Sequence, residues 1–173
     1  ILTRPSIYMN LDNLKKKFED IYHKESDAVF RFCLFRVSDR EVSLDIVQEV
    51  FMRYWDNLSS GKDIKNDRAF LFTISRNLII DYYRKKKATS LDEIIEESED
   101  GLSILSDHTQ HIELSAEAGL FFEKIKDLES SYRQVIYLRF VEDLKPKEIA
   151  EVLELSPNVV SVRLNRALEK LRE

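Results

Sequence analysis

The segment SPNVVSVRLNRALEKLRE at residues 156–173 constrains the fold most tightly. Ser156 followed by Pro157 reads as a helix start. The hydroxyl can accept from an unpaired N–H of the first turn, and proline suits the first helical position, where no N–H partner is needed. Val160, Leu164, Ala167, Leu168 and Leu171 then recur at helical spacing and define one apolar face. At about 100° per residue, the opposite face carries Asn158, Val162, Asn165, Arg166 and Glu169, with Arg163 and Lys170 beside it. A second short helix is expected over 146–153. The link Leu153-Glu154-Leu155-Ser156 has the length of a helix-turn-helix turn. A helix apolar behind, with arginine and asparagine in front, suits a DNA major groove, where Arg reads guanine edges and Asn reads adenine edges.

A net charge of −5 argues against a DNA binder until it is divided along the chain. Residues 1–87 hold 17 Lys and Arg against 13 Asp and Glu, and residues 115–173 hold 10 against 11. Residues 88–114 hold 8 acidic residues and no Lys or Arg. The acidity therefore sits in one middle stretch, which reads as a flexible linker with a short helical piece around Leu91–Ile95. Two small helical domains, 11–87 and 115–173, are expected on either side of it.

The first of these reads as three helical stretches. Over 11–37, Leu14, Phe18, Ile21 and Tyr22 make one stripe, continued by Val29, Phe30, Cys33, Leu34 and Val37, and two joined pieces are expected. Over 43–58, Val47, Phe51, Tyr54, Trp55 and Leu58 face inward, and Asp45, Gln48, Glu49, Met52, Arg53 and Asp56 face out. Mixed charge on a helix is ordinarily solvated surface, although Met52 among the charges favours a protein-binding face. A polar loop over 59–67 precedes a helix over 68–87, with Leu71, Ile74, Leu78 and Tyr82 inward. Thr73, Arg76, Asn77, Ile80 and Arg84 face outward before Lys85-Lys86-Lys87. Terminal lysines favour the helix dipole in any case. The alternative is a phosphate-contacting stripe with aromatic neighbours, suited to single-stranded nucleic acid. The second domain adds amphipathic helices over 115–128 (Leu120, Phe121, Ile125 and Leu128 inward) and 131–141 (Val135, Ile136, Leu138 and Phe140 inward), making an expected four-helix unit.

Two blocks resemble a known family. "LDIVQEVFMRYWDNL" followed by "FLFTISRNLIIDYYRKKK" resembles the conserved second region of sigma-70 factors, and "EIAEVLELSPNVVSVRLNRALEKLR" resembles the helix-turn-helix of their fourth region. Both blocks in this order, separated by a linker, resemble the extracytoplasmic-function (ECF) group of bacterial initiation factors. The resemblance implies an all-α fold of two small domains: region 2 at 11–87, a linker at 88–114, and region 4 at 115–173. It implies promoter-specific transcription initiation in the cytoplasm, with core RNA polymerase and promoter DNA as partners and commonly an anti-sigma factor.

The same resemblance gives the exposed faces roles. Asp45, Gln48, Glu49, Met52 and Arg53 match the surface that grips core polymerase. Asn77, with the loop 57–69, matches the part that captures a flipped base of the −10 element, and Arg76, Arg84 and Lys85 match nearby backbone contacts. Asn158, Val162, Asn165 and Arg166 match the face that meets the −35 element, with Ser161 and Arg163 as backbone contacts. This chain departs from the family at the turn, where Glu154 stands in place of the usual glycine, and at Val159, Ser161 and Val162, which replace Thr, Lys and Ser. Lys145 replaces a capping serine, so the helix from Pro146 relies on its proline.

Other classes find less support. An operator-binding regulator would explain 131–173 but leave the face of 43–58 idle, and an adaptor would leave Arg166 idle. No phosphate loop, nucleophile arrangement or metal-ligand cluster points to an enzyme or a cofactor, and His108 and His111 lack partners for a metal site. No run of residues is long and apolar enough to span a membrane. The lone Cys33 cannot form an internal disulfide, which fits a reducing compartment. The opening Ile1-Leu2-Thr3 lacks a methionine, and Met9 is the expected native start.

Overall fold

The computed structural model describes residues 5–89, 120, 124–125 and 127–172, and no strand occurs among them. Three helices come first: α1 (Pro5–Val37), α2 (Arg40–Ser59) and α3 (Asp67–Thr89). They pack pairwise on one another. The second unit contains α4 (Ser130–Ile136), a wide π-type turn (Tyr137–Val141), α5 (Pro146–Leu153) and α6 (Pro157–Arg172). Here α4 and α5 both pack on α6, while α5 also packs on α3 of the first unit. One continuous apolar core runs through both units.

α1 is one helix rather than the expected two pieces. The break in its apolar stripe is Glu25, which occupies a core-facing position and is 1% exposed. Its carboxylate is paired with Arg68, so the polar interruption does not end the helix. α1 stops at Ser38, whose positive φ of 58° turns the chain, and Asp39 then caps α2 by accepting from Val42 N–H at 3.0 Å. α2 ends in a Schellman arrangement. Lys62 N–H donates to Asn57 O at 3.1 Å and Gly61 N–H to Leu58 O at 3.2 Å, with Gly61 at φ 80°. Asn66 caps α3, accepting from Ala69 N–H at 3.0 Å.

α1 and α3 bury more than one stripe. Phe32 and Phe35 are buried beside the expected Val29, Cys33 and Val37, and Phe72, Ser75 and Ile79 are buried beside Leu71 and Ile74. The second unit covers Phe35 and Phe32, with the Tyr137 ring stacked on Phe35 at 4.1 Å between centroids and 6.2 Å from Phe32, and Phe32 in turn meets Phe72 edge-on at 5.2 Å.

Three expected core residues face solvent instead, the first being Tyr22 of α1, which is 43% exposed. Phe140 is 53% exposed and lies in the π-type turn, in which Glu142 N–H donates to Tyr137 O at 3.2 Å. Leu120 is exposed while Ile125 and Leu128 are buried. The acidic stretch, with Leu91–Ile95, His108 and His111, lies outside the described residues, as does Phe121.

Candidate nucleic-acid and protein interfaces

The outer face of α6 stands clear of the core. Val160, Leu164 and Ala167 are buried and hold the helix against α4 and α5. Ser156 Oγ accepts from Val159 N–H at 3.3 Å, as the Ser-Pro start predicts. Asn158, Ser161, Val162, Asn165 and Arg166 are exposed together, and Arg163 is half-buried at their edge. Ser161 Oγ donates to Pro157 O at 2.9 Å, so its hydroxyl is already engaged within the helix. Val159 and Val162 add two exposed apolar groups to this polar face.

The turn before α6 carries the strain that its sequence implies. Glu154 lies at φ 55°, ψ 42°, the left-handed region where glycine is relaxed and another residue costs about 1–2 kcal/mol. Leu155 N–H donates to Ala150 O at 2.9 Å and closes the end of α5. At the other end Lys145 offers no side-chain cap. Glu148 reaches back instead, accepting from Lys145 N–H at 2.6 Å, with Pro146 in the first turn.

α2 presents the second face. Ile46, Val47, Val50, Phe51, Tyr54 and Leu58 anchor it inward. Asp45, Gln48, Met52 and Arg53 are exposed, Glu49 is half-buried, and Met52 at 62% exposure is the most prominent apolar group there. Arg53 Nε donates to Glu49 Oε1 at 2.7 Å, which fixes part of the charge pattern. Tyr22, packed on Phe51 and partly exposed, extends the patch beyond the positions read from α2 alone.

The third face belongs to α3 and its preceding loop. Asn77, Arg84 and Lys85 are exposed, whereas Arg76 is half-buried. Arg84 pairs with Asp81 at 3.0 Å and Arg76 Nη1 lies 3.5 Å from Glu154 Oε2. The loop makes a shallow depression with Lys62, Asn66, Phe70 and Thr73 on one wall and Glu151 of α5 on the other. Lys62 Nζ lies 4.7 Å above the Phe70 ring. The structure thus places Arg76 and Asn77 on one helix beside the loop, with Arg76 and the loop depression facing α5 and its end, and Asn77, Arg84 and Lys85 exposed.

Between the units lies a polar cluster that helical periodicity does not reveal. Glu142 is 1% exposed and takes Arg31 Nη2 at 3.3 Å, Arg68 Nη2 at 3.2 Å and the Tyr137 hydroxyl at 2.9 Å. Arg68 also pairs with Glu25 and donates to Glu142 O at 2.8 Å. Burial raises the Glu142 carboxyl above its usual range, against the pull of Arg31, Tyr137 and Arg68. Burial, reinforced by Glu142, raises the Tyr137 phenol as well. Nearby, Cys33 is buried, and desolvation pushes its thiol up to about 12 against a hydrogen bond from Ser75. The only local signal of the cluster is Glu25, a carboxylate in an apolar stripe; its partners lie far along the chain.

Comparison with known proteins decides the family. The Sigma-70 region 2 family model matches residues 21–89, and the Sigma-70, region 4 model matches residues 121–171. The RNA polymerase sigma factor SigV of Bacillus subtilis is 31% identical over 152 residues, covering 87% of this chain and 84% of that one. The chain belongs to the ECF group of the sigma-70 family. The ECF RNA polymerase sigma factor SigW of the same organism is 29% identical, covering 90% and 87% of the two chains. Among solved structures, the sigma factor RpoE in complex with the anti-sigma factor NepR, from Bartonella quintana, shares the fold. Its TM-score is 0.67 at 20% identity, with 91% of this chain and 95% of that one covered. A sigma factor acts in transcription initiation. Among the described residues, no helix is long and apolar enough to cross a membrane.

Proposed function

We propose that this sigma factor is a promoter-specificity subunit that docks on core RNA polymerase and reads two DNA elements, without performing chemistry itself. Residues 11–87 form the docking and −10 domain, 88–114 a linker, and 115–173 the −35 domain. Asp45, Gln48, Glu49, Met52 and Arg53 grip the polymerase. Asn158, Val162, Asn165 and Arg166 meet base edges of the −35 duplex, and Ser161 and Arg163 lie against the backbone. Because Val162 is apolar, it suits a thymine methyl group. Asn77 and the loop before α3 take an unpaired −10 base, and Arg76, Arg84 and Lys85 hold the strand beside it. Unstacking a base costs a few kcal/mol, which polar contacts in a pocket offset.

The observation that carries this reading is the exposed α6 face, with Asn165 and Arg166 presented outward from a helix pinned by Val160, Leu164 and Ala167. It works where core polymerase works, in the cytoplasm. An anti-sigma protein is a further expected partner, as for the RpoE–NepR complex. The acidic linker repels stray DNA. Paired binding assays test the division of labour. Asp45→Lys with Gln48→Ala should abolish co-purification with bacterial core polymerase and leave duplex binding intact, whereas Arg166→Ala should weaken recognition of one −35 base pair by about 1–3 kcal/mol and leave co-purification intact. Loss of the same activity by both variants would overturn the assignment.

A further inference from the structure

We infer that Val159 and Val162 form a paired methyl reader, so that the −35 element of this chain contains two adjacent A·T base pairs recognised by their thymine 5-methyl groups. The inference rests on the reading of α6 as the −35 face and extends it from Val162 alone to a two-residue step. The two valines are 37% and 40% exposed, whereas Val160, next in the chain, is buried in the core. A single exposed valine is ordinary surface. Here two occupy adjoining turns near the start of α6, on the face that also carries Asn158, Asn165 and Arg166. The N-terminal residues of a recognition helix are those that reach base edges, so both valines stand where the sequence is read.

The chemistry of the major groove decides what such a pair can meet. Among the groups the bases present there, the thymine methyl is the apolar one. A valine laid on a polar edge displaces water without replacing its hydrogen bond, whereas against a methyl it leaves nothing unpaired. Ser161, the polar side chain between the valines, does not alter this. Its hydroxyl proton is donated to Pro157 O at 2.9 Å, so it presents no donor to a base. β-branching holds each valine side chain to one preferred rotamer on a helix, so the shape offered to the groove is set before DNA arrives. Spacing gives the register. Three residues advance about 4.5 Å along the helix against about 3.4 Å per base-pair step, so a tilted helix sets the two valines over neighbouring pairs. Asn158 and Arg166 lie one turn on either side of Val162 and frame the apolar step with polar readers.

The test uses the full chain bound to bacterial core polymerase and a library of short duplexes randomised across the binding window. The most enriched duplex is rebuilt with deoxyuridine in place of thymidine at one position at a time, which removes one methyl group and keeps every hydrogen-bonding group. Substitution at two adjacent base pairs should each weaken binding about fourfold, as expected for the loss of one buried methyl group. Val159→Ser should erase the loss at one of these positions and Val162→Ser at the other, with core binding kept by both. Cytosine at either position should weaken binding, and 5-methylcytosine should recover part of it. A flat uracil scan, a single responsive position, or responses that persist in the serine variants would overturn the methyl pair while leaving the −35 reading in place. Enrichment of no shared duplex sequence would instead overturn the −35 reading on which the pair rests.

Discussion

Arg68 Nη2 stands 3.2 Å from Glu142 Oε2, joining the first turn of α3 to the turn before α5 across 74 residues of sequence. Glu142 has no exposed side-chain surface, and Arg68 holds it and Glu25 at once. The two units are therefore joined by a charge that neither can keep buried alone. Removing one partner of a buried ion pair costs about 3–5 kcal/mol, because the remaining charge stays desolvated. Arg68→Met should lower unfolding stability by about 3 kcal/mol in urea titrations, at the low end because the arginine is partly exposed. Glu142→Gln should cost less, since burial already disfavours its charged form. In the double variant the losses should fall short of additive, and strict additivity would show that the pair is uncoupled.

Alkaline pH should weaken the fold through Cys33. Burial lifts its thiol from 9.0 to about 12, and burial with Asp67 lifts the Tyr54 phenol upward. A group that is neutral when protonated, and whose folded pKa is raised, gives stability that is complete below the unfolded value. That stability is lost as pH climbs from the unfolded towards the folded value. Thermal midpoints under reducing conditions should fall as pH rises through 9.0. Cys33→Ala should flatten that slope, whatever its effect on the midpoint at neutral pH. An unchanged slope would show that the thiol does not contribute.

The strained turn yields a stabilising substitution. Glu154→Gly removes a left-handed non-glycine residue worth about 1–2 kcal/mol and gives up an exposed ion pair with Arg76 worth about 0–1 kcal/mol. The net change in chemical denaturation should be a gain of up to about 1 kcal/mol, after the entropy cost of glycine. A loss of stability would mean that the Arg76 contact outweighs the strain.

On α6, Arg166→Ala should reduce discrimination at one base pair by about 1–3 kcal/mol while leaving thermal stability within about 0.5 kcal/mol, because the side chain is exposed. Competition binding with single-position duplex variants measures the first, and calorimetry the second. A uniform loss across all duplexes would reassign Arg166 to the phosphate backbone.

The helices that bury a single face were legible in the residues. In α2 and α6 the apolar spacing correctly separates Phe51 and Tyr54 from Gln48 and Met52, and Leu164 and Ala167 from Asn165 and Arg166. α1 and α3 were legible only in part, because each is covered on two sides. A one-face period finds Cys33 and Leu71 but passes over Phe35 and Phe72. Phe140, expected inward, is exposed in the π-type turn, and nothing in the local sequence pattern marks it. The link from Glu142 to Arg31 spans 111 residues and leaves no local trace, so the packing of α5 on α3 was invisible before the fold. The roles of the exposed faces came from family resemblance, because an exposed mixed-charge face has the same pattern whether it binds a partner or only water.

Run-off transcription with purified bacterial core polymerase and a promoter pool tests the two-element reading most directly. Addition of the chain should produce discrete starts from a subset of templates sharing one −35 and one −10 sequence, and alteration of either sequence should abolish them. A chain that binds duplex DNA yet directs no start from any template, or starts that depend on one element alone, would contradict it.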